Sequence, residues 1–206
     1  MTLIIMENLT LAEQIMSIMN KDRKQRESLA ANDNNISDGT ISINQKNITI
    51  AQRYFMNRRV RMLVPEEMEP MLEASADIKY PSKDRPQWIF TMEYSTVDMT
   101  LAISDEMSRD EDTEEIKERV MAWMQTIYPI SAIKDNNTIM PFGKSISFFS
   151  FNLPLHDGMV CQMMYFTILH RKELIGTFSC PWDYGDEWRP VWIQMLHTLE
   201  SNLGIG

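Results

Sequence analysis

The sequence predicts an α+β domain in which an antiparallel β-sheet is covered by helices. Several segments alternate apolar and polar residues, which is the period of a half-buried strand. Two long segments repeat apolar residues at the spacing of an amphipathic helix. Three strand-like segments follow one another across short turns, which favours antiparallel pairing: residues 145–153, 159–169 and 172–180.

The N-terminal region predicts a helix over residues 10–30, followed by a polar loop. Thr10 is a candidate N-cap, and Glu13 completes the spacing of a capping box. The apolar stripe of this helix is short and consists of Leu11, Ile15, Ile18 and Met19. We therefore divide the chain into an N-terminal helix with a polar linker, residues 1–38, and an α+β domain, residues 39–206.

The first part of the domain predicts strands that are interrupted by one short helix. Alternation over residues 41–55 and again over 60–64 is typical of strands. Pro65 and the two acids after it predict the start of the short helix, since proline and acids suit a first turn. Residues 88–94 and 97–103 then predict a hairpin.

Two longer helices complete the predicted domain. The helix over residues 112–128 has an apolar stripe that consists of Ile116, Val120, Trp123, Met124 and Ile127. The last helix is predicted to begin near Asp186, with Pro190 in its first turn and Gly204 after its end. Both helices would lay their apolar stripes on the sheet.

The composition narrows the classes of function. The net charge of -9 disfavours general nucleic-acid binding, because phosphate would be repelled. The basic cluster within residues 21–26 alternates with acids and is interpreted as a solvated helix face. No signal peptide and no apolar run of membrane-spanning length is found, so we expect a cytoplasmic protein without membrane insertion. The 18 methionines predict a pliable core or a pliable binding surface.

No pattern of catalytic, metal-binding or cofactor-binding residues stands out. The three histidines lack metal-ligand spacing, and no phosphate loop or nucleophile elbow is present. Residues 32–39 fail as the start of a calcium loop, because Ile36 and Gln45 would occupy positions that need oxygen ligands. Cys161 and Cys180 lie in apolar strand-like runs and are interpreted as buried reduced thiols. We therefore expect no catalytic residues, no cofactor and no metal.

The order of elements from about residue 40 to 203 resembles the PsbP-like fold. One similarity is the strand over residues 59–65, which closes on proline before a short acidic helix. Another is the hairpin followed by the amphipathic helix 112–128, and a third is the segment 173–181 leading to Trp188-Arg-Pro-Val-Trp192. The resemblance implies an α/β/α sandwich, to which this chain adds an N-terminal helix.

This superfamily includes a lumenal extrinsic subunit of photosystem II, the Ran-binding import factor called Mog, and small bacterial proteins. The resemblance implies a binding subunit, chaperone or assembly factor without a catalytic centre. Chaperones of secreted effectors are among the bacterial members. No binding residue of the superfamily transfers to this sequence by motif.

The connection before the last helix is the candidate partner-binding site. Trp182 and Tyr184 would offer apolar area with polar tips, as binding hot spots do. Asp183 and Asp186 would lie at the rim and select a basic partner. The alternative interpretation is a plain strand-to-helix connection.

We therefore expect a non-catalytic cytoplasmic protein-binding module, an adaptor or chaperone of a bacterial partner protein. The partner would carry a basic or apolar helical segment, and nucleic acid is not expected as a partner. Leu11, Ile15 and Ile18 would contact that partner or a second copy of the chain, giving a homo-oligomer. The alternatives are a small-ligand-binding protein and, less favoured, an enzyme that uses cysteine and histidine.

Overall fold

The computed structural model describes residues 34–92, 96–107, 112–127, 133–155 and 158–201. Strands dominate these residues, and three α-helices lie between them. In chain order the elements are β1 Thr40–Ile43, β2 Lys46–Phe55, β3 Val60–Pro65, β4 Glu69–Pro70, α1 Glu73–Lys79, β5 Trp88–Met92, β6 Val97–Met107, α2 Thr113–Ile127, β7 Ile133–Ile139, β8 Ile146–Leu155, β9 Gly158–Leu169, β10 Lys172–Pro181, α3 Gly185–His197 and β11 Glu200–Ser201.

The strands form two antiparallel sheets. A four-stranded sheet has the order β1-β2-β3-β11, and a seven-stranded sheet has the order β4-β5-β6-β10-β9-β8-β7. The predicted consecutive strands pair as β8-β9-β10, and the predicted hairpin pairs as β5-β6, so both predictions are confirmed. The prediction of a single sheet is wrong. The first three strands form a separate sheet, and β11 joins that sheet by pairing with β3.

The seven-stranded sheet is buried on both faces. On one face it shares a core with α3 and the four-stranded sheet, and the side chains of this main core include Ile41, Val60, Met62, Met99, Phe148, Met163, Phe178, Val191 and Trp192. On the other face α2 covers a second core, which includes Ile116, Met124, Phe149, Phe151, Phe166 and Ile168. A helix therefore lies on each face of the large sheet, as predicted, but the domain is richer in strands than the sequence indicated.

Aromatic residues at alternating positions explain why the middle strands are buried on both faces. Phe148 points to the main core, and its neighbour Phe149 points to the second core. Gly176 on β10 pairs with Tyr165 on β9. A Cβ atom at Gly176 would lie 2.0 Å from Cζ of Tyr165, so the tyrosine ring fills the place of the missing side chain.

Two tight turns set the register of the hairpins. Asn44 and Gln45 have φ angles of 48° and 63° and join β1 to β2. His170 and Arg171, with φ angles of 50° and 64°, join β9 to β10. Left-handed conformations at both central residues match the right-handed twist of the flanking strands. The turn at His170-Arg171 was predicted, but the turn at Asn44-Gln45 was missed. The single strand predicted over residues 41–55 is therefore two paired strands, β1 and β2.

The short helix does not begin at Pro65. Pro65 ends β3, where it pairs with Ile50, and α1 begins later, at Glu73. Pro70 lies in the two-residue edge strand β4, where a missing N–H is tolerated. The acids at 66 and 67 therefore occupy a turn. The proline and acids that predicted the start of a helix instead mark the end of β3.

The last helix also differs from its prediction. Pro190 lies inside α3, which begins at Gly185, and the helix ends at His197. Thr198 follows the helix, and its hydroxyl donates to the Met195 carbonyl at 2.7 Å and accepts from the Leu63 N–H at 2.9 Å. These bonds lead the chain toward β3, where β11 pairs, instead of continuing the helix to residue 203.

Two further differences concern α2 and the strand after it. Trp123, predicted on the buried stripe of α2, is 59% exposed, because Thr113 and Lys117 occupy the buried face instead. β7 was not predicted, since its sequence is polar and its pairing with β8 shifts between Lys134 and Asn137.

Candidate functional site

The predicted aromatic connection forms a short 3-10 turn, Trp182–Tyr184, between β10 and α3. Both aromatic rings are half-buried, and Tyr184 packs against the main core. The Tyr184 hydroxyl also accepts a hydrogen bond from Asn44 Nδ2 at 3.2 Å. A large part of this aromatic area is therefore used inside the domain.

The acids around this turn are mostly engaged within the chain. Asp186 forms an ion pair with Arg189 one helical turn later. Glu187 Oε2 accepts the backbone N–H of Asn44 at 2.7 Å, which ties α3 to the β1-β2 turn. Asp183 is exposed. The partner-binding role assigned to Trp182, Tyr184, Asp183 and Asp186 stays a prediction.

The other predicted partner-binding residues are those of the N-terminal helix. Leu11, Ile15 and Ile18 lie outside the described residues, as does the whole helix predicted over residues 10–30. Their role in binding a partner or a second copy therefore stays a prediction, and so does the boundary near residue 38.

The structure reveals a cleft between α1 and β5 that the sequence did not indicate. It encloses about 270 Å³, and its aromatic lining comes from Trp88 and Phe90, which are half-buried and also pack against the main core. The remaining lining residues are Pro70, Met71, Glu73, Ala76, Arg85, Pro86, Gln87 and Ile89. Because the lining comes from two segments with a turn-rich connection between them, no local pattern could reveal it.

The surface beside this cleft is apolar and acidic. Leu72, which lies between the lining residues Met71 and Glu73, is 76% exposed. Ile78 is 84% exposed but lies on the face of α1 opposite Ala76. Large apolar side chains this exposed are candidates for contact with another molecule. The chain segment over residues 66–77 contributes five acids and no basic residue: Glu66, Glu67, Glu69, Glu73 and Asp77. Two of these acids are paired, Glu69 with Arg53 and Asp77 with Arg85 of the cleft lining.

A buried carboxylate holds α1 against β5 and β6. Asp98 on β6 is 1% exposed and receives hydrogen bonds from Tyr80 at 2.7 Å and from Thr91 at 2.8 Å. Lys79, the last residue of α1, forms an ion pair with Asp98 at 2.6 Å. The C-terminal end of α1, and with it one wall of the cleft, is thereby fixed on the sheet. Burial, and then the charge of Asp98, raises the pKa of Tyr80 far above its ordinary value, so this phenol stays protonated.

A second polar network lies at the start of α2, on the same face of the large sheet. Lys117 is 2% exposed and forms ion pairs with Glu114 at 2.6 Å and with Glu118 at 3.5 Å. Glu114 also accepts hydrogen bonds from Thr138 and Ser147. The bonds from Lys117 and Thr138 lower the pKa of Glu114, against the smaller opposing effect of its partial burial. The network joins α2 to β7 and β8.

The two cysteines are neither exposed nor in the cleft. Cys161 and Cys180 are buried, unlinked and directly opposite each other on β9 and β10. Within the described residues, no group of three or more His, Cys, Asp or Glu side chains is placed to hold a metal ion. No helix in this part of the chain is long and apolar enough to cross a membrane.

Comparisons with known proteins match this chain by fold. No family model matches it, and no curated protein matches it. The solution structure of cyanobacterial PsbP (CyanoP) from Synechocystis sp. PCC 6803 is similar with a TM-score of 0.53 at 10% identity, covering 74% of this chain and 92% of that one.

Two further solved structures are similar at lower TM-scores. PA94 of Pseudomonas aeruginosa, a protein of unknown function, has a TM-score of 0.41 at 10% identity, covering 75% of this chain and 99% of that one. LpqN of Mycobacterium tuberculosis, involved in cell envelope biogenesis, has a TM-score of 0.43 at 7% identity, covering 82% of this chain and 97% of that one.

The similarity to CyanoP establishes the class of fold, which is PsbP-like. The PsbP part of the resemblance inferred from the sequence is therefore confirmed. None of the three structures supports its Mog part. Identities this low show the fold, and the function is argued from the residues of this chain.

Proposed function

We propose that this chain is a non-catalytic cytoplasmic protein-binding module, an adaptor or chaperone, that uses the cleft between α1 and β5. The observation that carries the proposal is the cleft itself, with Trp88 and Phe90 in its lining and the exposed Leu72 between the lining residues Met71 and Glu73. Aromatic side chains provide large contact areas at low entropic cost. The ion pair between Lys79 and Asp98 keeps one wall of the cleft in place before binding.

The occupant we propose is an apolar segment of a partner protein, flanked by basic residues. A cleft of about 270 Å³ accommodates one or two apolar side chains and lies below the roughly 300–1,000 Å³ typical of small-molecule sites. Of the acids over residues 66–77, Glu69 and Asp77 pair with arginines, and the others would attract a basic flank, in keeping with the net charge of -9. We therefore favour a protein partner over a small ligand.

A photocrosslinking experiment tests this proposal. A photoreactive amino acid replaces Glu73, which lines the cleft in the first turn of α1. The matched control replaces Glu115, an exposed acid in the first turn of α2 that does not line the cleft. Illumination in extract of the source cells should give one reproducible adduct from position 73 and not from position 115. Equal patterns at both positions, or no adduct at position 73, would contradict the proposal.

A charge substitution tests whether the crosslinked adduct depends on the apolar surface beside the cleft. Leu72→Glu should reduce the adduct from position 73 by about tenfold or more, because it places a charge where an apolar contact is expected. Leu72 makes no side-chain cap bond to α1, so the helix should remain intact. The control is Leu155→Glu, at an exposed leucine on β8. A thermal-shift screen with small molecules tests the alternative function, a small-ligand-binding protein. A compound that reproducibly stabilises the chain, and no longer does so in the Leu72→Glu variant, would favour that alternative.

The N-terminal helix is a separate part of the proposal. If Leu11, Ile15 and Ile18 join two copies of the chain, deletion of residues 1–36 should halve the mass measured by light scattering. An unchanged mass would exclude this oligomer and leave the cleft proposal untouched, because the cleft is built from residues 70–90.

A further inference from the structure

Cys161 and Cys180 are directly opposed on β9 and β10. Opposed residues of antiparallel strands have Cα atoms about 4.5 or 5.5 Å apart, and disulfides span Cα separations of about 4.4–6.8 Å. Both side chains belong to the main core, and the two thiols are close enough to share a hydrogen bond. The strands therefore already hold the two sulfurs at a separation that a disulfide accepts.

The first residue of α3 lies against Cys161. A Cβ atom at Gly185 would come within 2.8 Å of Cys161 Sγ, so a larger residue could not begin the helix here without a shift. The N-terminus of a 13-residue helix carries partial positive charge, which favours a thiolate. Arg189, one turn later, adds a positive charge that acts on the same thiol and is partly offset by its ion pairs with Asp135 and Asp186.

The two thiols consequently differ in acidity. The hydrogen bond with Cys180, assisted by the charges of Arg189 and Lys134, lowers the pKa of Cys161 in spite of its burial. Burial, and then the hydrogen bond with Cys161, raises the pKa of Cys180 well above its ordinary value. Of the two thiols, Cys161 is therefore the one that loses its proton more readily.

We propose that Cys161 and Cys180 form a reversible redox pair that a small hydroperoxide closes to an intrachain disulfide. The Cys161 thiolate attacks a peroxide oxygen, the O–O bond breaks, and a sulfenic acid and hydroxide form. The Cys180 thiol then attacks Cys161 Sγ, so that the S–S bond forms, the S–O bond breaks, and the Cys180 proton leaves with the hydroxyl group as water. The hydroxide from the first step takes up the proton that Cys161 lost on ionising and becomes the second water. The thiols lose two electrons, and hydrogen peroxide is reduced to two waters. This modification site is independent of the cleft and of the proposed protein partner.

Peptide mapping of the full chain after treatment with hydrogen peroxide tests the proposal. The treated protein is unfolded in N-ethylmaleimide, which labels the remaining thiols, and is then digested with trypsin. Cleavage after Arg171 and Lys172 places Cys161 and Cys180 on different peptides. The expected result is loss of label at both cysteines and a linked peptide pair that dithiothreitol separates. Two labelled cysteines, at a peroxide dose that oxidises a short cysteine peptide, would overturn the proposal.

Two variants test the roles of the sulfurs. Cys180→Ala should accumulate a sulfenic acid at Cys161, which dimedone traps, because the resolving thiol is missing. Cys161→Ala should leave Cys180 fully labelled by N-ethylmaleimide. The reverse pattern would overturn the assignment of Cys161 as the attacking thiol. If either variant fails to fold, the peptide map of the unsubstituted chain decides whether the pair exists.

Discussion

The two buried ionic networks of this domain are built in opposite ways. Around Asp98 the buried partner is the anion, and its hydrogen-bond donors and cation come from the end of α1 and from β5. Around Lys117 the buried partner is the cation, and both of its acidic partners lie on the same helix and are about half exposed. In the first network the buried group itself is bonded by other elements, whereas the ion pairs of Lys117 stay within α2 and only Glu114 bonds to β7 and β8.

This difference has an energetic consequence. Loss of Asp98 would leave polar groups on two other elements without their acceptor, and buried groups of this kind are costly to leave unpaired. Loss of Lys117 would leave carboxylates that water already reaches. We therefore expect Asp98 to matter more for stability than Lys117, although both side chains are buried.

The largest effect is expected for Asp98→Ala. It should lower the free energy of unfolding by about 3 kcal/mol, because Tyr80 and Thr91 lose the acceptor of their hydrogen bonds. Urea denaturation measures the change. The control is Asp77→Ala, which removes an exposed acid paired with Arg85 and should cost less than about 1 kcal/mol. Equal losses in the two variants would break the comparison.

Tyr80→Phe removes one donor and keeps the ring. We expect a loss of about 2 kcal/mol, since a hydrogen bond to a buried carboxylate is stronger than one between neutral groups. Tyr54→Phe is the matched control, because the Tyr54 ring is exposed and its hydroxyl accepts from Gln52. That control should change stability by no more than about 0.5 kcal/mol. A loss at position 80 as small as at position 54 would show that Asp98 depends little on this bond.

Glu114→Gln tests the local network and depends on pH. At pH 7 the loss should be about 1 kcal/mol, because Glu114 is half exposed and solvent screens its ion pair. The folded-state pKa of Glu114 is lowered from its ordinary value of 4.5, so its contribution is present above that value. It should disappear as the pH falls through the lowered pKa. Glu115→Gln is the control, and a difference between the two variants that grows on acidification would contradict this account.

The smallest effect is expected for Lys117→Met. Methionine fills a similar volume, and Glu114 keeps its bonds to Thr138 and Ser147 and its access to water. Stability should therefore change by less than about 1 kcal/mol in either direction. Lys117→Ala, which also removes the apolar stem, should cost more. If Lys117→Met destabilises as strongly as Asp98→Ala, the contrast between the two networks is wrong.

The sequence predicted an element correctly where the residues of that element alone determine its secondary structure. The alternation in β8, β9 and β10 and the turn at His170-Arg171 were visible, because strand period and turn preference are local properties. The amphipathic pattern of α2 was also visible. Its buried face was misjudged, since Trp123 was predicted on the buried stripe and Lys117 was not.

Asp98 shows why the sequence did not predict the buried polar groups. It lies between Val97 and Met99 in an alternating strand, where a polar residue ordinarily faces water. Both faces of the large sheet are covered, so this position is buried as well. The cleft escaped for a related reason, because its two lining segments meet only after α1 folds onto β5.

By itself the sequence determined the secondary-structure types, the consecutive antiparallel strands and the absence of familiar catalytic motifs, because periodicity and spacing depend on neighbouring residues. The tertiary structure decided the split into two sheets, the burial of Asp98 and Lys117, and the pairing of Cys161 with Cys180. Those features depend on strand order and register, which join residues far apart in the chain. No local pattern specifies which strand becomes the neighbour of another.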